Sequence, residues 1–221
     1  LNKGRKGRKE TAKAIIYFRN PANIAGGNEY KFIAYKDKEV KKTLKELFNG
    51  KCGYCESRIV VVTAGDIEHF RPKGGVGNNP KKLIKPGYYW LAAKWDNLLL
   101  SCPNCNRTNT FDIVNKGELT VGKLNQFPLK NEAHRLFNPI DDFNKEETVR
   151  CLLNPCKDDP NQHIIFSDEG LILPKKKGRG YSIKGKTSID TYALQRKDLV
   201  EEREALIIKI KAQIKSVEYA I

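Results

Sequence analysis

Four cysteines in two matching spacings carry the first chemistry legible in this chain. Cys52-Gly53-Tyr54-Cys55 and Cys102-Pro103-Asn104-Cys105 are both Cys-x-x-Cys pairs. Each such pair makes a tight turn that points two sulfurs inward, and two turns together supply the four thiolates that zinc prefers. Gly53 is expected to free the dihedrals of the first turn and Pro103 to stiffen the second. Disulfides or a redox motif are the alternatives, but the spacing suits tetrahedral metal thiolates better. A site closed by four protein thiolates has no open position for substrate, so the Zn²⁺ expected here serves folding and clamps what lies between the pairs.

Between and beside the pairs stand Asp66-Ile67-Glu68-His69-Phe70-Arg71-Pro72, then Trp95-Asp96-Asn97, then Cys105-Asn106-Arg107. An acidic residue directly before a histidine, an asparagine at the next strand, and a second asparagine nine residues later on the following helix resemble the motif of the HNH nucleases. Further segments are similar to the HNH subunit of bacterial anti-phage systems of the Septu type and to retron-associated nucleases. They include His69-Phe70-Arg71-Pro72-Lys73, Tyr89-Trp90-Leu91, Leu153-Asn154-Pro155-Cys156 and the stretch from Thr187 to Arg203. Two positions depart from the HNH pattern: Asn106 stands where a histidine is usual, and Glu68 where an aspartate is frequent. Both keep an oxygen ligand and move preference toward Mg²⁺ or Mn²⁺.

The resemblance implies an α+β fold with a ββα-metal core, in which a two-stranded ribbon and a helix grip one divalent cation. Carried over residue by residue, it implies that His69 is the general base for an attacking water. Glu68 and Asn106 would hold the catalytic Mg²⁺ or Mn²⁺, and Asn97 would fix the loop bearing His69. Arg71, Lys73 and Arg107 flank these residues and would bind phosphate oxygens. The implied partners are nucleic acid and an ATPase subunit of a defence complex. A zinc-ribbon module that only binds nucleic acid, or an adaptor, would share the cysteines and the charge; His69 with Glu68, Asn97 and Asn106 is what separates the two readings.

The charge agrees with a polyanionic partner. Lys and Arg number 41 against 26 Asp and Glu, a net +15, which draws nucleic acid through counterion release and long-range steering. No apolar run is long enough to span a bilayer, and Ala14 to Phe18 is too short for a secretory core, so a cytoplasmic, membrane-free protein is expected. Tyr88, Tyr89, Trp90 and Trp95 are expected to fill a small core between the cysteine pairs, with base stacking as the alternative. Cys151 and Cys156, lacking a second pair, read as ordinary buried thiols, with a reducible disulfide or a second metal site with His163 as the alternatives.

Four regions are expected to position this chemistry. Residues 1–36 begin with Lys3, Arg5, Lys6, Arg8, Lys9 and Lys13 among glycines and read as a basic N-terminal arm, its first stretch mobile. Residues 37–130 form the zinc-stapled core: a helix over Asp37 to Asn49, a strand at the β-branched run Ile59 to Val62, a basic loop from Pro72 to Gly87, a strand at Leu98 to Leu100 and a helix starting at Pro103. Residues 131–186 are punctuated by prolines and carry a hairpin over Ile164 to Leu173. Residues 187–221 should be one long helix whose apolar positions Ile207, Ile210, Ile214, Val217 and Ile221 make a seam for its own domain or for a partner.

Overall fold

The computed structural model describes residues 2–25, 30–79 and 82–219. It divides into two compact units, one of the described residues of 1–106 with 123–151, the other of 107–122 with 152–221. The secondary structure is of the α+β class, with four two-stranded antiparallel ribbons among the described residues. None of the described helices is long and apolar enough to cross a membrane.

The first unit opens on a helix, α1 (Asn2–Phe18), where the glycines and cations predict a mobile arm. Tertiary contacts override the weak local propensity. Ala14 is fully buried, Glu10 is buried and hydrogen-bonded, and a Cβ at Gly7 would come within 3.3 Å of Ala93. The glycine thus permits close approach of the helix to its neighbour. A short α2 (Pro21–Ala25) follows, and then α3 (Lys38–Leu47), capped by the Asp37 carboxylate on the Glu39 N–H and anchored by buried Leu44. Gly50, at φ 68°, turns the chain after it toward Cys52.

The β-branched run after Arg58 is a turn and not a strand. The amides of Ile59 and Val60 both donate to the Gly50 carbonyl, and that of Val62 to Ile59, so the donors that a ladder needs are spent locally. Val61 and Val62 stay exposed. The strand comes later, as β1 (Asp66–His69), paired antiparallel with β2 (Leu98–Ser101) so that Asp66 faces Ser101 and His69 faces Leu98. One turn of helix, α4 (Pro103–Asn106), follows directly, with Pro103 at its start. The order strand, loop, strand, helix therefore stands, with its first strand shifted. Beneath the ribbon, Phe70, Tyr88 and Phe127 pack edge to face, and α5 (Phe143–Val149) adds buried Glu146. Tyr88, Tyr89 and Trp90 are core residues, whereas Trp95 is 43% exposed.

The second unit holds the hairpin β3 (Asn109–Ile113) with β4 (Gly117–Val121) and a second hairpin, β5 (Ile164–Phe166) with β6 (Ile172–Pro174). A minimal ribbon, β7 (Lys176–Lys177) with β8 (Gly180–Tyr181), leads into α6 (Ile183–Thr191), capped by Ser182. The single long helix expected over residues 187–221 is broken. Ala193 takes φ 51°, the Tyr192 hydroxyl donates to the Leu153 carbonyl, and the Gln195 side chain accepts from the Ile172 N–H before α7 (Lys197–Glu218) begins. Burying residues 192–194 outweighs helical continuity there. In α7 only Leu199 and Val200 are buried, while Leu206, Ile210, Ile214 and Val217 are exposed. Ile221 lies outside the described residues.

Candidate functional site

The two Cys-x-x-Cys turns meet. The sulfurs of Cys52, Cys55, Cys102 and Cys105 all lie within 4.8 Å of one another, and those of Cys55 and Cys102 are 3.9 Å apart. A tetrahedral zinc–thiolate site has sulfur–sulfur edges of about 3.8 Å, so the cluster fits a metal ion of that kind. Amide hydrogens favour thiolate character at Cys52, whose sulfur accepts from the Tyr54 N–H at 3.4 Å and the Cys102 N–H at 3.2 Å. Gly53 does not use glycine dihedrals in this turn. Its need is space, because a Cβ there would lie 2.9 Å from the Phe48 ring and 3.3 Å from the Leu100 carbonyl. Cys151 is buried and Cys156 exposed, so only one of that pair is the buried thiol expected.

His69 ends β1 and is 5% exposed. Its Nε2 lies 2.9 Å from the Ala92 carbonyl oxygen, which can only accept, so Nε2 carries the hydrogen and Nδ1 keeps the lone pair. Burial first, and the nearby Lys73 ammonium second, lower the imidazole pKa to about 3. The ring is therefore neutral at physiological pH. Tyr35 stands edge-on to it with centroids 4.6 Å apart. Asn97, also buried, clasps the segment after His69: its Oδ1 accepts from the Arg71 N–H at 2.8 Å, and its Nδ2 donates to the Arg71 carbonyl at 3.0 Å and to Leu91 at 3.2 Å.

Period-two alternation sends Glu68 away from His69. The Glu68 carboxylate, 6% exposed, meets the Lys123 ammonium at 2.5 Å and the Tyr54 hydroxyl at 3.4 Å. Lys123 is fully buried and also donates to the His69 carbonyl at 3.1 Å. Asn106, expected beside Glu68, instead donates its amide to Asp66 at 3.1 Å. Sequence reasoning overlooked both Asp66 and Lys123. The first was findable, since Asp66 and Glu68 are two apart on a strand and share a face. The second was not, because residues 107–122 separate it from Asn106 along the chain, and only the folded backbone joins them, with Lys123 N–H on the Cys105 carbonyl and Leu124 N–H on that of Asn106.

Arg71 does not take the phosphate-binding place expected of it. It is 3% exposed and is fully engaged inside the protein, with Nε 2.7 Å from Glu146 and a terminal nitrogen 3.2 Å from Glu147. Glu146 accepts in turn from the Tyr88 hydroxyl at 2.7 Å, and Arg135 donates to that hydroxyl at 2.8 Å. Burial, with Glu146 alongside, raises the Tyr88 phenol well above its ordinary range. A guanidinium so held stabilises the loop after His69 and does not reach out for phosphate. Lys73, by contrast, is only half-buried and lies 4.9 Å from the centre of the Tyr35 ring. Arg107 is exposed and belongs to the second unit.

Fold and site together define a mixed α and β protein assembled around four cysteines able to hold a metal ion, with a buried neutral histidine at the end of the adjoining ribbon. No protein-family model matches the chain. Its relatives are Septu proteins: it is 46% identical over 176 residues to Septu protein PtuB of Bacillus mycoides (strain KBAB4), a match covering 79% of this chain and 53% of the relative. To Septu protein PtuB of Bacillus thuringiensis it is 27% identical over 190 residues, 86% of this chain and 50% of the relative. A 31% match over 165 residues covers 74% of this chain but only 20% of Septu protein PtuA of Bacillus mycoides (strain KBAB4). The chain is a homologue of these Septu proteins, and it spans about half the length of the PtuB relatives it matches.

Proposed function

We propose that the chain is an HNH-type endonuclease that hydrolyses phosphodiester bonds of DNA or RNA, and that it is the effector subunit of a Septu-type anti-phage defence complex in the cytoplasm. The observation that carries this reading is the placement of His69: at the end of β1, oriented by the Ala92 carbonyl through Nε2, and left with a lone pair on Nδ1. The antiparallel ribbon followed by one helical turn supports the ββα-metal assignment, and the homology to Septu proteins supports the setting.

In this reading the cysteine cluster is a structural zinc site that joins the two turns flanking β1 and β2. Asp66 and Asn106, paired at 3.1 Å, are the oxygen donors that would hold a hard cation such as Mg²⁺ or Mn²⁺, while Glu68 would join them only by giving up its ion pair with Lys123. When bound, that cation neutralises charge on the phosphate. The chain's own residues do the rest. His69 Nδ1 takes a proton from water as the water oxygen bonds to phosphorus; the bond from phosphorus to the leaving oxygen breaks, that oxygen takes a proton from solvent, and His69 returns its own to solvent. Asn97 holds the backbone after His69 in register, and Lys73 offers a charge to the substrate phosphate.

A larger partner is part of the proposal. A segment similar to this chain makes up a fifth of a Septu PtuA protein, which supports a module that works joined to a bigger Septu subunit, here taken to be an ATPase. The exposed apolar positions of α7 are the proposed contact. The function is tested by incubating the coexpressed pair with labelled duplex DNA, single-stranded DNA and tRNA in Mg²⁺ or Mn²⁺. Cleavage is expected, and His69→Ala should slow it by about 10² to 10⁴. Binding without cutting of any substrate would leave a zinc-ribbon binding module in its place.

A further inference from the structure

Two segments hold the His69 imidazole, and α1 touches both. The Ala92 carbonyl accepts from Nε2 on one side, and Gly7 of α1 packs against the next residue, Ala93, so tightly that a Cβ would lie 3.3 Å from its Cβ and carbonyl oxygen. The Tyr35 ring stands against the imidazole from the 3-10 turn Ala34–Lys36. That turn is tied down by Glu10 of α1, a carboxylate 8% exposed, which accepts from the Ile33 N–H at 2.7 Å and from the Ala34 N–H at 3.0 Å. A buried carboxylate on two backbone amides is a charge-assisted anchor, stronger than an ordinary turn contact. Lys73 and Lys36 lie 4.9 Å and 5.8 Å from the centre of the Tyr35 ring, and Lys36 is exposed. One aromatic ring thus borders both the imidazole and two ammonium groups.

We propose that α1 and the turn it anchors belong to the nuclease apparatus: Glu10 fixes the turn, Tyr35 positions the His69 imidazole, and Lys36 with Lys73 grips nucleic-acid phosphates beside the scissile bond. The inference rests on the nuclease reading of His69 and extends it to residues before the first cysteine. Neither Tyr35 nor Glu10 touches the reacting atoms, so both are positioning residues. Their loss should lower turnover at saturating substrate while leaving substrate affinity intact. The lysines act in the opposite sense, on affinity and its salt dependence. Two lost phosphate contacts on duplex DNA should flatten the slope of log K against log salt by about 1.8.

The test compares wild type with Tyr35→Ala, Tyr35→Phe, Glu10→Gln, His69→Ala and the pair Lys36→Met/Lys73→Met, all in the coexpressed complex. Tyr35→Ala is expected to cut saturated turnover by about tenfold or more with binding of a labelled duplex unchanged, because small misplacements of a catalytic group are costly. Tyr35→Phe should restore turnover, and Glu10→Gln should fall between. The ring-proton NMR resonance of His69, identified by its loss in His69→Ala, should shift when Tyr35 becomes Ala and stay put when it becomes Phe; this readout needs no cleavage. Wild-type turnover and an unmoved His69 resonance in Tyr35→Ala would overturn the positioning role, as an unchanged salt slope in the lysine pair would overturn the phosphate role. Those results beside an inactive His69→Ala would leave the nuclease reading standing, whereas a fully active His69→Ala would remove both.

Discussion

Lys123 places its ammonium 2.5 Å from the carboxylate of Glu68, both side chains shut away from solvent. The same ammonium donates to the His69 carbonyl, so one cation ties together the acid and the backbone of the proposed base. Its own backbone N–H is bonded to the Cys105 carbonyl, which links the ion pair to the second cysteine turn. The cysteine cluster and the histidine are therefore mechanically continuous through Lys123. A buried pair of this kind is costly to break from one side, because the remaining charge loses its partner without regaining water.

Lys123→Met should accordingly destabilise the first unit by about 3 to 5 kcal/mol. Adding Glu68→Gln should recover much of that loss, since the uncompensated charge is then removed as well. Urea unfolding of the two single variants and the double variant gives the coupling. Additive losses would show that the pair is not an energetic unit.

The cysteine cluster predicts a division of labour. Cys102→Ser should release bound metal and abolish cooperative unfolding of the first unit, because metal affinity at such sites is folding free energy. His69→Ala should keep the metal content of wild type, since its ring meets Ala92 and Tyr35 and not the sulfurs. Elemental analysis of both purified variants decides it; equal metal loss would mean that the histidine and the cysteines serve one site and not two.

Burial of His69 also makes a prediction about acid. Folded, the imidazole stays neutral down to about pH 3, whereas in the unfolded chain it takes up its proton near an ordinary value of about 6.5. Between those limits the unfolded state binds the extra proton, so this residue's contribution is present above about 6.5 and is lost as pH falls through the window, at up to about 1.4 kcal/mol per unit. His69→Gln lacks the linkage. Its stability, measured from pH 7 to 4, should fall less steeply than that of wild type, and parallel curves would contradict the buried neutral state.

The outer part of α7 should matter for assembly and little for folding. Leu206, Ile210, Ile214 and Val217 are exposed, whereas Leu199 and Val200 near its start are buried. A chain ending at Arg203 should therefore unfold like wild type yet fail to co-elute with its coexpressed Septu partner on size exclusion. Undiminished co-elution would move the contact elsewhere.

Much of the site was legible because its signals are local. The cysteine spacing needs only the geometry of a tight turn, and Leu98–Ser101 leading into Pro103 needs only strand patterning and helix-start chemistry. The misreadings share a different cause. Ile59–Val62 has strand propensity but no strand partner, because the Gly50 carbonyl takes two of its amides. Arg71 has the right chemistry for phosphate, yet Glu146, 75 residues further along the chain, claims it. Lys123 pairs with Glu68, and Glu10 with residues 33 and 34, through contacts that have no periodicity in the sequence. What escaped sequence reasoning was the pairing of charges across long separations, which depends on tertiary packing and on the low dielectric it creates.

If His69 is the base of a nuclease that acts in defence, the nucleic-acid ends sequenced from phage-infected cells that carry the complete Septu system should depend on it. Wild type should produce new DNA or RNA ends after infection, and His69→Ala, expressed to the same level and with the same metal content, should produce none and lose protection. Unchanged cleavage and unchanged protection in His69→Ala would contradict a catalytic role for this histidine.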